Sequence, residues 1–314
     1  MVPSNDRILI TGVTGFIGSR MAARWAAAGV PLRGLVRREG SVPGVETVVG
    51  DMLDPAALER AVAGIDVVVH TAVDESGDVE RGRRVNEGGA RVLAEAALAA
   101  GCRRFVHIST CAVYAIEGID VVTEETPLWP AERIEELTYG VTKALGERAL
   151  ADVSARGLDV VILRPPNVLG AHERCIFCET LATGVRDGKI GYALDGANTW
   201  PYVHVENLID AIEAAIEVEA APGRAYTVVD GHTTWRAFLD DYARWSGVEV
   251  ARRDVRGVYD HFRGRFATKR AHDELGYRPR RSYADAMAET WAFLRARGLV
   301  PEARAAGAVR QEVR

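Results

Sequence analysis

Short apolar runs alternate with stretches of helical periodicity through the first half of the chain. The runs are almost uninterrupted and rich in β-branched residues, which is typical of strands in a parallel sheet covered on both faces. Six strands are predicted: Arg7–Thr11, Leu32–Val36, Val45–Val49, Val67–Thr71, Phe105–Ser109 and Val160–Leu163. Because helical stretches separate the strands, the pattern predicts a doubly wound parallel α/β sheet.

Several helices between these strands have recognisable ends. Asp54 followed by Pro55 is an N-cap with proline at the first helical position, and Gly64 ends the same helix. Three further helices end at glycines: Gly29, Gly101 and Gly157. The second half is less regular. Its predicted elements are a strand and then a helix in 201–219, a strand in 225–231 and an amphipathic helix in 233–247.

Composition and charge restrict the classes of function. The 314 residues carry a net charge of −5, a mild balance that gives no reason to expect nucleic acid as a partner. No basic run suggests a membrane surface, and no apolar stretch is long enough to span a bilayer. The N-terminal residues lack the charged and apolar regions of a signal peptide, so the cytoplasm is the expected location.

The cysteines fit a reducing compartment better than a disulfide framework. There are four: Cys102, Cys111, Cys175 and Cys178. The run CIFC has the spacing of a redox or metal pair, but a structural zinc site needs further ligands and His172 alone does not complete a set. We therefore predict no metal site and expect packing to explain the pair.

Three glycines follow the first strand at intervals of three residues, in the run ITGVTGFIGSR. Gly12 allows a tight turn, Gly15 lets the backbone approach a diphosphate, and Gly18 lets the next helix pack closely on the sheet. The helix N-terminus offers free N–H groups and the positive end of its dipole to a phosphate. The position between strand and helix indicates a dinucleotide-binding loop rather than a plain turn.

These elements predict two parts of unequal size. A dinucleotide-binding domain of the Rossmann arrangement is expected over residues 1–165, with residues 201–218 returning to it. A smaller mixed α/β lobe for the substrate is expected from residues 166–200 and 219–314.

Residues at the ends of the second and third strands bear on the choice of cofactor. Asp51 is placed to accept a hydrogen bond from an adenine amino group or a ribose. An acidic residue after the second strand would hold the ribose 2′-hydroxyl of NAD, but Arg37 and Arg38 stand there and suit the 2′-phosphate of NADP. NADP(H) is therefore favoured, NAD(H) remains possible, and a solvated charge pair is the alternative reading of the two arginines.

Tyr139 and Lys143 lie four residues apart in YGVTK, so a helix would place both side chains on one face. A lysine ammonium beside a phenol lowers the pKa of the phenol and makes it usable as a general acid or base near neutral pH. Ser109 and Thr110 supply hydroxyls at the end of a predicted strand, where α/β sheets bind ligands.

The order of these motifs resembles the extended short-chain dehydrogenases/reductases, also called the NAD-dependent epimerase/dehydratase family. The motifs are TGxxGxxG after a strand, GDMLD, VVHTAV, VNEGGA, STCAVY, YGVTK and LRPPNVLG, followed by YVHVENL and ELGYRP. The resemblance covers nearly the whole chain, and seven ordered motifs are far more specific than any one of them.

The resemblance implies roles for individual positions. Thr110, Tyr139 and Lys143 would be catalytic, with Tyr139 as acid/base and Lys143 also binding the nicotinamide ribose. The implied cofactor contacts are Gly12, Gly15, Phe16, Ile17, Gly18, Asp51, Met52, Thr71, Ala72, Val73, Asn86, Ser109, Tyr139, Lys143 and Pro165, to which the residues themselves add Arg37 and Arg38. Thr110, Asn167 and Trp200 would face the substrate.

The chain also departs from the family pattern. Val73 stands where the family usually has alanine, and Ala115 replaces the glycine of VYG. Trp200 occupies the place of an arginine that often precedes the VHV strand in sugar-nucleotide enzymes, and Arg37 replaces an acidic residue usual in tight NAD-binding epimerases.

Three functions remain open. A reductase or dehydrogenase would exchange hydride between NADP(H) and a small carbonyl or alcohol; Arg37 and Trp200 favour it. A sugar-nucleotide epimerase or dehydratase would use bound NAD in an internal redox cycle; Asn167 and the following GAHE run favour it. A nucleotide-binding regulator without catalysis is disfavoured, because Thr110, Tyr139 and Lys143 are all present.

Two further expectations concern binding surfaces. The apolar face of Trp200 suits an uncharged aromatic, polyketide-like, terpenoid or aldehyde substrate better than a diphosphate. Arg174, Tyr192 and Arg265 are additional candidates for substrate contacts. Related enzymes commonly dimerise through the helices equivalent to Val85–Ala100 and Tyr139–Ala155, so a homodimer is expected.

Overall fold

The computed structural model describes residues 5–219 and 223–300 of the chain. The strands of this part are β1 (Ile8–Thr11), β2 (Leu32–Val36), β3 (Val45–Val49), β4 (Val67–His70), β5 (Arg104–Ile108), β6 (Val121–Val122), β7 (Val160–Arg164), β8 (Asn167–Leu169), β9 (Gly191–Tyr192), β10 (Thr199–His204), β11 (Arg224–Thr227), β12 (Gly231–Thr234), β13 (Ala251–Arg252) and β14 (Arg265–Phe266).

Helices alternate with these strands along the chain. The α-helices are α1 (Phe16–Ala27), α2 (Pro55–Val62), α3 (Val79–Gly82), α4 (Ala90–Ala99), α5 (Thr138–Ser154), α6 (Glu179–Arg186), α7 (Val205–Glu217), α8 (Trp235–Ser246), α9 (Lys269–Glu274) and α10 (Tyr283–Ala296). A π-helix, Arg83–Gly89, joins α3 to α4, and short 3₁₀ turns occur at Cys111–Val113, Ala131–Arg133 and Val258–Asp260.

Seven parallel strands form the central sheet, in the spatial order β11, β7, β5, β4, β1, β2, β3. The predicted doubly wound sheet is confirmed, and each of the six predicted strands is present to within one residue at either end. The chain runs from β1 outward to β3 and then returns to β4 on the other side of β1. Ligands of such sheets bind at the carboxyl ends of the strands beside this reversal.

Helices on both faces explain why the strands are apolar throughout. α1 and α7 pack on one face, around Trp25 and Ile212, whereas α2, α4 and α5 pack on the other, around Leu58, Leu93 and Leu150. The four glycines predicted to end helices all follow a helix and have φ between +67° and +112°. Few residues other than glycine adopt that conformation without strain, which is why the sequence marks these ends.

Two segments after residue 200 join the sheet layer. α7 packs against α1, where Arg24 of α1 pairs with Asp210 at 2.6 Å and Glu213 at 3.1 Å, and Trp25 Nε1 donates to Glu213 at 2.8 Å. β11 pairs with β7 in parallel, so residues 224–227 lie in the central sheet although they were expected in the lobe. The sequence predicted a strand here, but β11 begins with the exposed Arg224 and has a single β-branched residue, Thr227, so nothing in it indicated the edge of the central sheet.

The remaining segments build a smaller mixed lobe over the carboxyl ends of the strands. β8, β10 and β12 form a three-stranded sheet, and β9 with β13 and β6 with β14 form two-stranded pairs. The core of the lobe is aromatic, around Trp200, Phe238 and Tyr242, with Leu294 from α10. This core lies next to the sheet's carboxyl edge and forms one wall of the cavity described below.

Candidate active site

A cavity of about 860 Å³ opens at the carboxyl ends of the central strands, between the sheet and the lobe. It begins at the loop after β1, passes the ends of β2, β4 and β5, and continues along β8 and β10 into the lobe. Its volume lies at the upper end of the range usual for ligand sites. The cavity lies beside the reversal of strand order, where doubly wound sheets bind their ligands.

The glycine loop forms the floor of the cavity and leaves no space for larger side chains. Gly12 has φ +71°, and a Cβ there would lie 2.7 Å from Thr71 Oγ1. A Cβ on Gly18 would lie 2.2 Å from the carbonyl oxygen of Gly12. Gly15 is the N-cap of α1 and has no side chain to occupy the free N–H groups of the first turn. The loop therefore exposes backbone donors to the cavity, as a dinucleotide diphosphate requires.

The structure brings most of the predicted cofactor residues to this cavity. Lining positions are Gly12, Gly15, Phe16, Ile17, Gly18, Arg37, Asp51, Met52, Thr71, Ala72, Val73, Ser109, Tyr139 and Pro165. Arg37 is exposed and has no ion pair with any described residue, whereas Arg38, also exposed, does not line the cavity. Only one of the two arginines thus lines the cavity.

Asn86 and Ser109 are buried and have partners within the protein. The Asn86 amide bonds both the N–H and the carbonyl of Asp74 and donates to Thr142 Oγ1, at 2.8 to 3.0 Å. It therefore positions the loop after β4 and does not itself line the cavity. The Ser109 hydroxyl donates to Glu147, although Ser109 is part of the cavity wall.

Thr110 and Tyr139 meet at the end of β5. Thr110 caps the 3₁₀ turn that follows, since its Oγ1 accepts from the N–H of Ala112 at 3.1 Å. Its hydroxyl proton is thereby left to the cavity and to the nearby phenol of Tyr139, whose pKa Thr110 acts to lower. Burial, together with the nearby carboxylate of Glu75, raises the pKa of Tyr139, so the phenol is protonated at neutral pH.

Lys143 corrects one expectation. Its Nζ donates to the carbonyl of Ile108 at 2.8 Å and lies 3.1 Å from His107 Nε2, so it is directed into the sheet rather than at the cavity. The expected lowering of the Tyr139 pKa by Lys143 is absent here. Instead, burial lowers the pKa of Lys143 itself to about 8, against the raising effect of Glu147 and Glu75.

A row of buried side chains lies next to Lys143. His107 lies beside His70 on the neighbouring strand with 5.1 Å between ring centroids, and His70 Nδ1 lies 2.7 Å from Thr11 Oγ1. Burial, aided by Lys143, lowers the pKa of both histidines, that of His70 to about 3. His107 Nδ1 has no partner among the described residues. Both rings are therefore neutral, and the Nε2 of His107 can accept from the lysine.

A second buried network fixes the other side of α5. Arg164 at the end of β7 pairs with Glu147 in bidentate geometry, at 2.6 and 3.0 Å, and donates to the Tyr114 hydroxyl at 3.0 Å. Both charges are almost fully buried. Breaking such a pair is costly, so this network holds α5, and with it Tyr139, against the strand ends.

The lobe half of the cavity is aromatic. Trp200 lines it but is only 6% exposed: its ring stacks on Phe238 at 3.7 Å between centroids, and Phe177 meets it edge-on at 5.3 Å. Trp235, Tyr259, Phe262 and Phe266 line the same half. Asn167 also lines the cavity, and its amide donates to the carbonyl of Pro201 at 2.8 Å, which ties β8 to β10.

Of the three additional candidates, only Arg174 reaches the cavity. Tyr192 is buried among the side chains of the lobe, with Arg236 over its ring, and Arg265 is exposed on β14 outside the cavity. Arg174 lies near the glycine loop, with its guanidinium 3.5 Å from Thr14 Oγ1. This contact points it towards the cofactor side.

Glu75 and Tyr259 are site residues that sequence reasoning missed. Glu75 is a carboxylate near Tyr139 that has no ion pair among the described residues, and burial raises its pKa. Tyr259 lies close enough to influence Tyr139 and donates to the carbonyl of Ala112 at 3.2 Å. Glu75 follows a parallel strand, a position that could have flagged it; nothing around Tyr259 in the sequence could.

No group of three or more His, Cys, Asp or Glu side chains within residues 5–219 and 223–300 is arranged to hold a metal ion. In the same part of the chain, no helix combines the length and apolar character that crossing a membrane requires.

Comparisons with known proteins agree with this geometry. The family model described as NAD dependent epimerase/dehydratase matches residues 8–228. A dTDP-glucose 4,6-dehydratase of Streptomyces antibioticus is 31% identical over 90% of both chains. A 3-beta-hydroxysteroid dehydrogenase of Mycolicibacterium neoaurum is 30% identical over 72% of this chain and 66% of that protein.

Among solved structures, DesIV, a dTDP-glucose 4,6-dehydratase of Streptomyces venezuelae solved with NAD bound, superposes with a TM-score of 0.76. It is 27% identical and covers 93% of this chain, which in turn covers 98% of it. With the parallel sheet, the glycine loop and the Thr110–Tyr139 contact, these matches show that the chain belongs to the NAD-dependent epimerase/dehydratase family.

Proposed function

We propose that the protein is a reductase that passes hydride between NADP(H) and an uncharged, largely apolar carbonyl or alcohol. One observation carries the proposal: the lobe half of the cavity has aromatic walls, and the one lining arginine of the described lobe without an ion pair, Arg174, is directed at Thr14 of the glycine loop. Arg253 is paired with Asp260 at 2.6 Å, and Arg81 with Asp74 at 2.6 Å. A second diphosphate would have to leave water without a cationic partner, which is costly.

The remaining two cavity arginines lie near the cofactor loop or at the far end of the sheet. Arg174 approaches Thr14, and Arg37 follows β2, three strands away from β5 and Tyr139. Both are therefore assigned to the cofactor in this proposal. Arg37 would meet the 2′-phosphate of NADP, a contact for which a free guanidinium is suited.

The glycine loop supports a dinucleotide in this cavity, since its close packing on Thr71 and on the Gly12 carbonyl excludes a Cβ at Gly12 or Gly18 and Gly15 leaves the first N–H groups of α1 uncapped. When bound, the nicotinamide cofactor supplies or accepts the hydride. Tyr139, whose phenol is protonated at neutral pH, donates the proton to the substrate oxygen. Thr110 donates a hydrogen bond to the same oxygen and orients it.

A second candidate function is a nucleotide-sugar dehydratase or epimerase with an internal redox cycle. The Streptomyces antibioticus relative, similar over 90% of both chains, favours it. Glu75 also favours it, because elimination needs a base besides Tyr139 and this carboxylate lies near the phenol without an ion pair to any described residue.

The two candidates separate in one experiment. Calorimetry with uridine-, thymidine- and guanosine-diphosphate sugars is run beside NADPH oxidation with a panel of uncharged aromatic and aliphatic ketones and aldehydes. The reductase proposal expects NADPH oxidation with members of the carbonyl panel and no micromolar binding of the sugars. Micromolar binding of any sugar nucleotide, with its conversion in the absence of added NADPH, would establish the second candidate instead.

We also propose a homodimer through α4 and α5. These helices lie side by side, and their outer surface has a shallow depression with charges of both signs: Arg83, Arg84, Glu87, Arg91, Arg148 and Asp152. Such a pattern can pair with itself across a two-fold axis. Light scattering at micromolar concentration is expected to give twice the chain mass, and a monomer mass contradicts the proposal.

A further inference from the structure

Cys175 and Cys178 lie on the turn between β8 and α6. The N–H of Cys178 donates to the carbonyl of Cys175 at 2.9 Å, which closes a four-residue turn. Such a turn holds its first and last Cα atoms within about 7 Å, and a disulfide requires a Cα separation of about 4.4–6.8 Å. The two thiols also lie close enough to affect each other's ionisation. The backbone thus already holds the sulfur atoms close together.

Both thiols also hold the turn in place. Cys178 Sγ donates to the carbonyl of Gly170 at 3.4 Å, and Cys175 Sγ lies 3.8 Å from that of Val168. Both side chains are buried, but Cys175 lines the cavity, which gives small reagents a route. The neighbouring Cys175 thiol lowers the pKa of Cys178, against the effect of burial, and a thiolate is the reactive form of cysteine.

The other two cysteines lack these features. Cys102 donates to the carbonyl of Ile65 and Cys111 to that of Arg164, and the two lie beyond opposite ends of β5. Burial raises the pKa of both thiols, that of Cys102 to about 11. They provide internal controls for any reaction of the pair.

The segment that carries the pair also contacts the cofactor loop. His172 Nε2 lies 3.1 Å from Ser19 Oγ, and the His172 ring stacks on Phe16 with 5.4 Å between centroids. Arg174 approaches Thr14, and a Cβ on Gly170 would touch the Phe16 ring at 3.2 Å. A change in the turn at Cys175 and Cys178 therefore acts on residues beside the diphosphate loop.

We propose that Cys175 and Cys178 form a redox-active dithiol, which a hydroperoxide converts into an intramolecular disulfide, and that this oxidation weakens cofactor binding. The peroxide reaches the pair from the cavity beside Cys175. One thiol of the pair, as its thiolate, attacks the peroxide, breaks its O–O bond and becomes a sulfenic acid as hydroxide leaves. The sulfur of the other cysteine then forms the S–S bond and releases water. In sum, two thiols are oxidised and one hydrogen peroxide is reduced to two waters.

The effect on the cofactor follows from the lost donors. A disulfide has no S–H, so the carbonyls of Gly170 and Val168 lose the thiol contacts that fix the turn. The segment from Gly170 to Cys178 then holds Phe16 and Thr14 less firmly.

The chemistry is tested on the full chain with hydrogen peroxide, followed by alkylation under denaturing conditions and mass spectrometry. We expect a loss of two hydrogens on the peptide carrying both cysteines, and a return to two alkylated thiols after dithiothreitol. Cys102 and Cys111 are expected to stay reduced throughout. Sulfinic acid at either cysteine, a bond between chains, or no reaction before Cys102 and Cys111 oxidise would overturn the dithiol.

The coupling to the cofactor is tested separately by NADP(H) and NAD(H) titration of reduced and oxidised protein. We expect the Kd to rise at least about threefold on oxidation and to recover with dithiothreitol. Cys175→Ser and Cys178→Ser are expected to be insensitive to peroxide, whereas Cys102→Ser responds as the parent does. An unchanged Kd in fully oxidised parent protein would refute the coupling. This measurement uses the parent protein alone, so it does not depend on whether the variants fold. The disulfide readout does not depend on which substrate the enzyme reduces.

Discussion

The two halves of the cavity are built in different ways. On the cofactor side, the wall is backbone: glycines at fixed intervals, a helix N-terminus and the ends of parallel strands. On the lobe side, the wall is side chain: aromatic rings from β10, α8 and the 258–266 segment that pack on one another before they meet a ligand. The first half selects its ligand through backbone hydrogen-bond donors, which any member of the fold can offer. The second half selects its ligand through side-chain surfaces that are particular to this chain.

Tyr139 lies where the two halves meet and is expected to give the largest effect. Tyr139→Phe keeps the ring that packs against the strand ends but removes the proton donor, so kcat is expected to fall by about 10²–10⁴ while the cofactor Kd is unchanged. Steady-state kinetics on a substrate from the carbonyl panel measures it. Tyr226→Phe, whose hydroxyl bonds Glu274 outside the cavity, serves as control. A kcat near that of the parent protein would assign the proton transfer to another group, with Glu75 the first to examine.

Replacing Trp200 tests whether the aromatic wall of the lobe mainly stabilises the fold or mainly contacts the substrate. Trp200→Ala removes a ring stacked on Phe238 and in edge contact with Phe177, and is expected to cost about 3–5 kcal/mol of unfolding free energy. Urea unfolding measures the loss, and the half-buried Trp291 is expected to cost less when replaced by alanine. If Trp200→Ala leaves the unfolding free energy unchanged and alters only KM, Trp200 is a substrate contact and not a core residue.

The two buried histidines make the sheet sensitive to acid. The pKa values of both histidines are lowered in the folded protein. The unfolded chain therefore binds more protons than the folded chain once the pH falls below about 6.5, the ordinary pKa of histidine. Their contribution to the free energy of unfolding is fully present above that pH and is lost as the pH falls. The loss is about 1.4 kcal/mol per pH unit for each histidine, and about 4 kcal/mol for both at pH 5.

The contribution of one histidine can be isolated. Urea unfolding of His107→Gln at pH 7.5 and pH 5 is expected to show an acid loss smaller than the parent's by about 2 kcal/mol. His261→Gln, on an exposed ring, is expected to behave like the parent. An identical acid loss in His107→Gln and the parent would mean that His107 is not kept neutral by burial.

Substitutions at Arg37 and Arg38 are expected to have the smallest effect, and they test which cofactor the protein prefers. NADPH is expected to bind about tenfold more tightly than NADH, and Arg37→Ala is expected to abolish this preference. Arg38→Ala is expected to retain it, because Arg38 does not line the cavity. Parallel titrations measure both ratios. Equal affinities of the parent for NADPH and NADH would exclude the 2′-phosphate contact and favour NAD.

The difference between the halves also explains what the sequence could predict. The strands, the helix ends and the glycine loop were predictable because each depends on neighbours in the chain: a run of β-branched residues, a positive φ, a helix start. The end of β5 and the helix spacing offered Ser109, Thr110 and Tyr139 as candidates, and the resemblance to the family chose Thr110 and Tyr139; their catalytic roles stay predictions. Lys143, the predicted partner of Tyr139, bonds the Ile108 carbonyl and lies beside His107, both on β5, so its effect on the phenol stays a prediction.

The lobe could not be predicted in the same way. Tyr259 comes from a 3₁₀ turn about 120 residues from Tyr139, and no periodicity marks it. Arg253 looks in the sequence like any other arginine; only its ion pair with Asp260 shows that its charge is already neutralised. Arg174 was a candidate for the substrate because it is charged and follows the sheet, but its direction towards Thr14 depends on the fold of the intervening turn.

The π-helix Arg83–Gly89 has a consequence for how this chain tolerates length changes. A π-turn holds more residues than an α-turn, so α3 and α4 differ in rotational phase as if the helix carried an inserted residue. Removing Gly88 would let the segment relax into an α-helix and would turn Asn86 away from Asp74. Relatives that lack the inserted residue would then need another way to fix the loop after β4, and an alignment of this helix should allow a gap inside it.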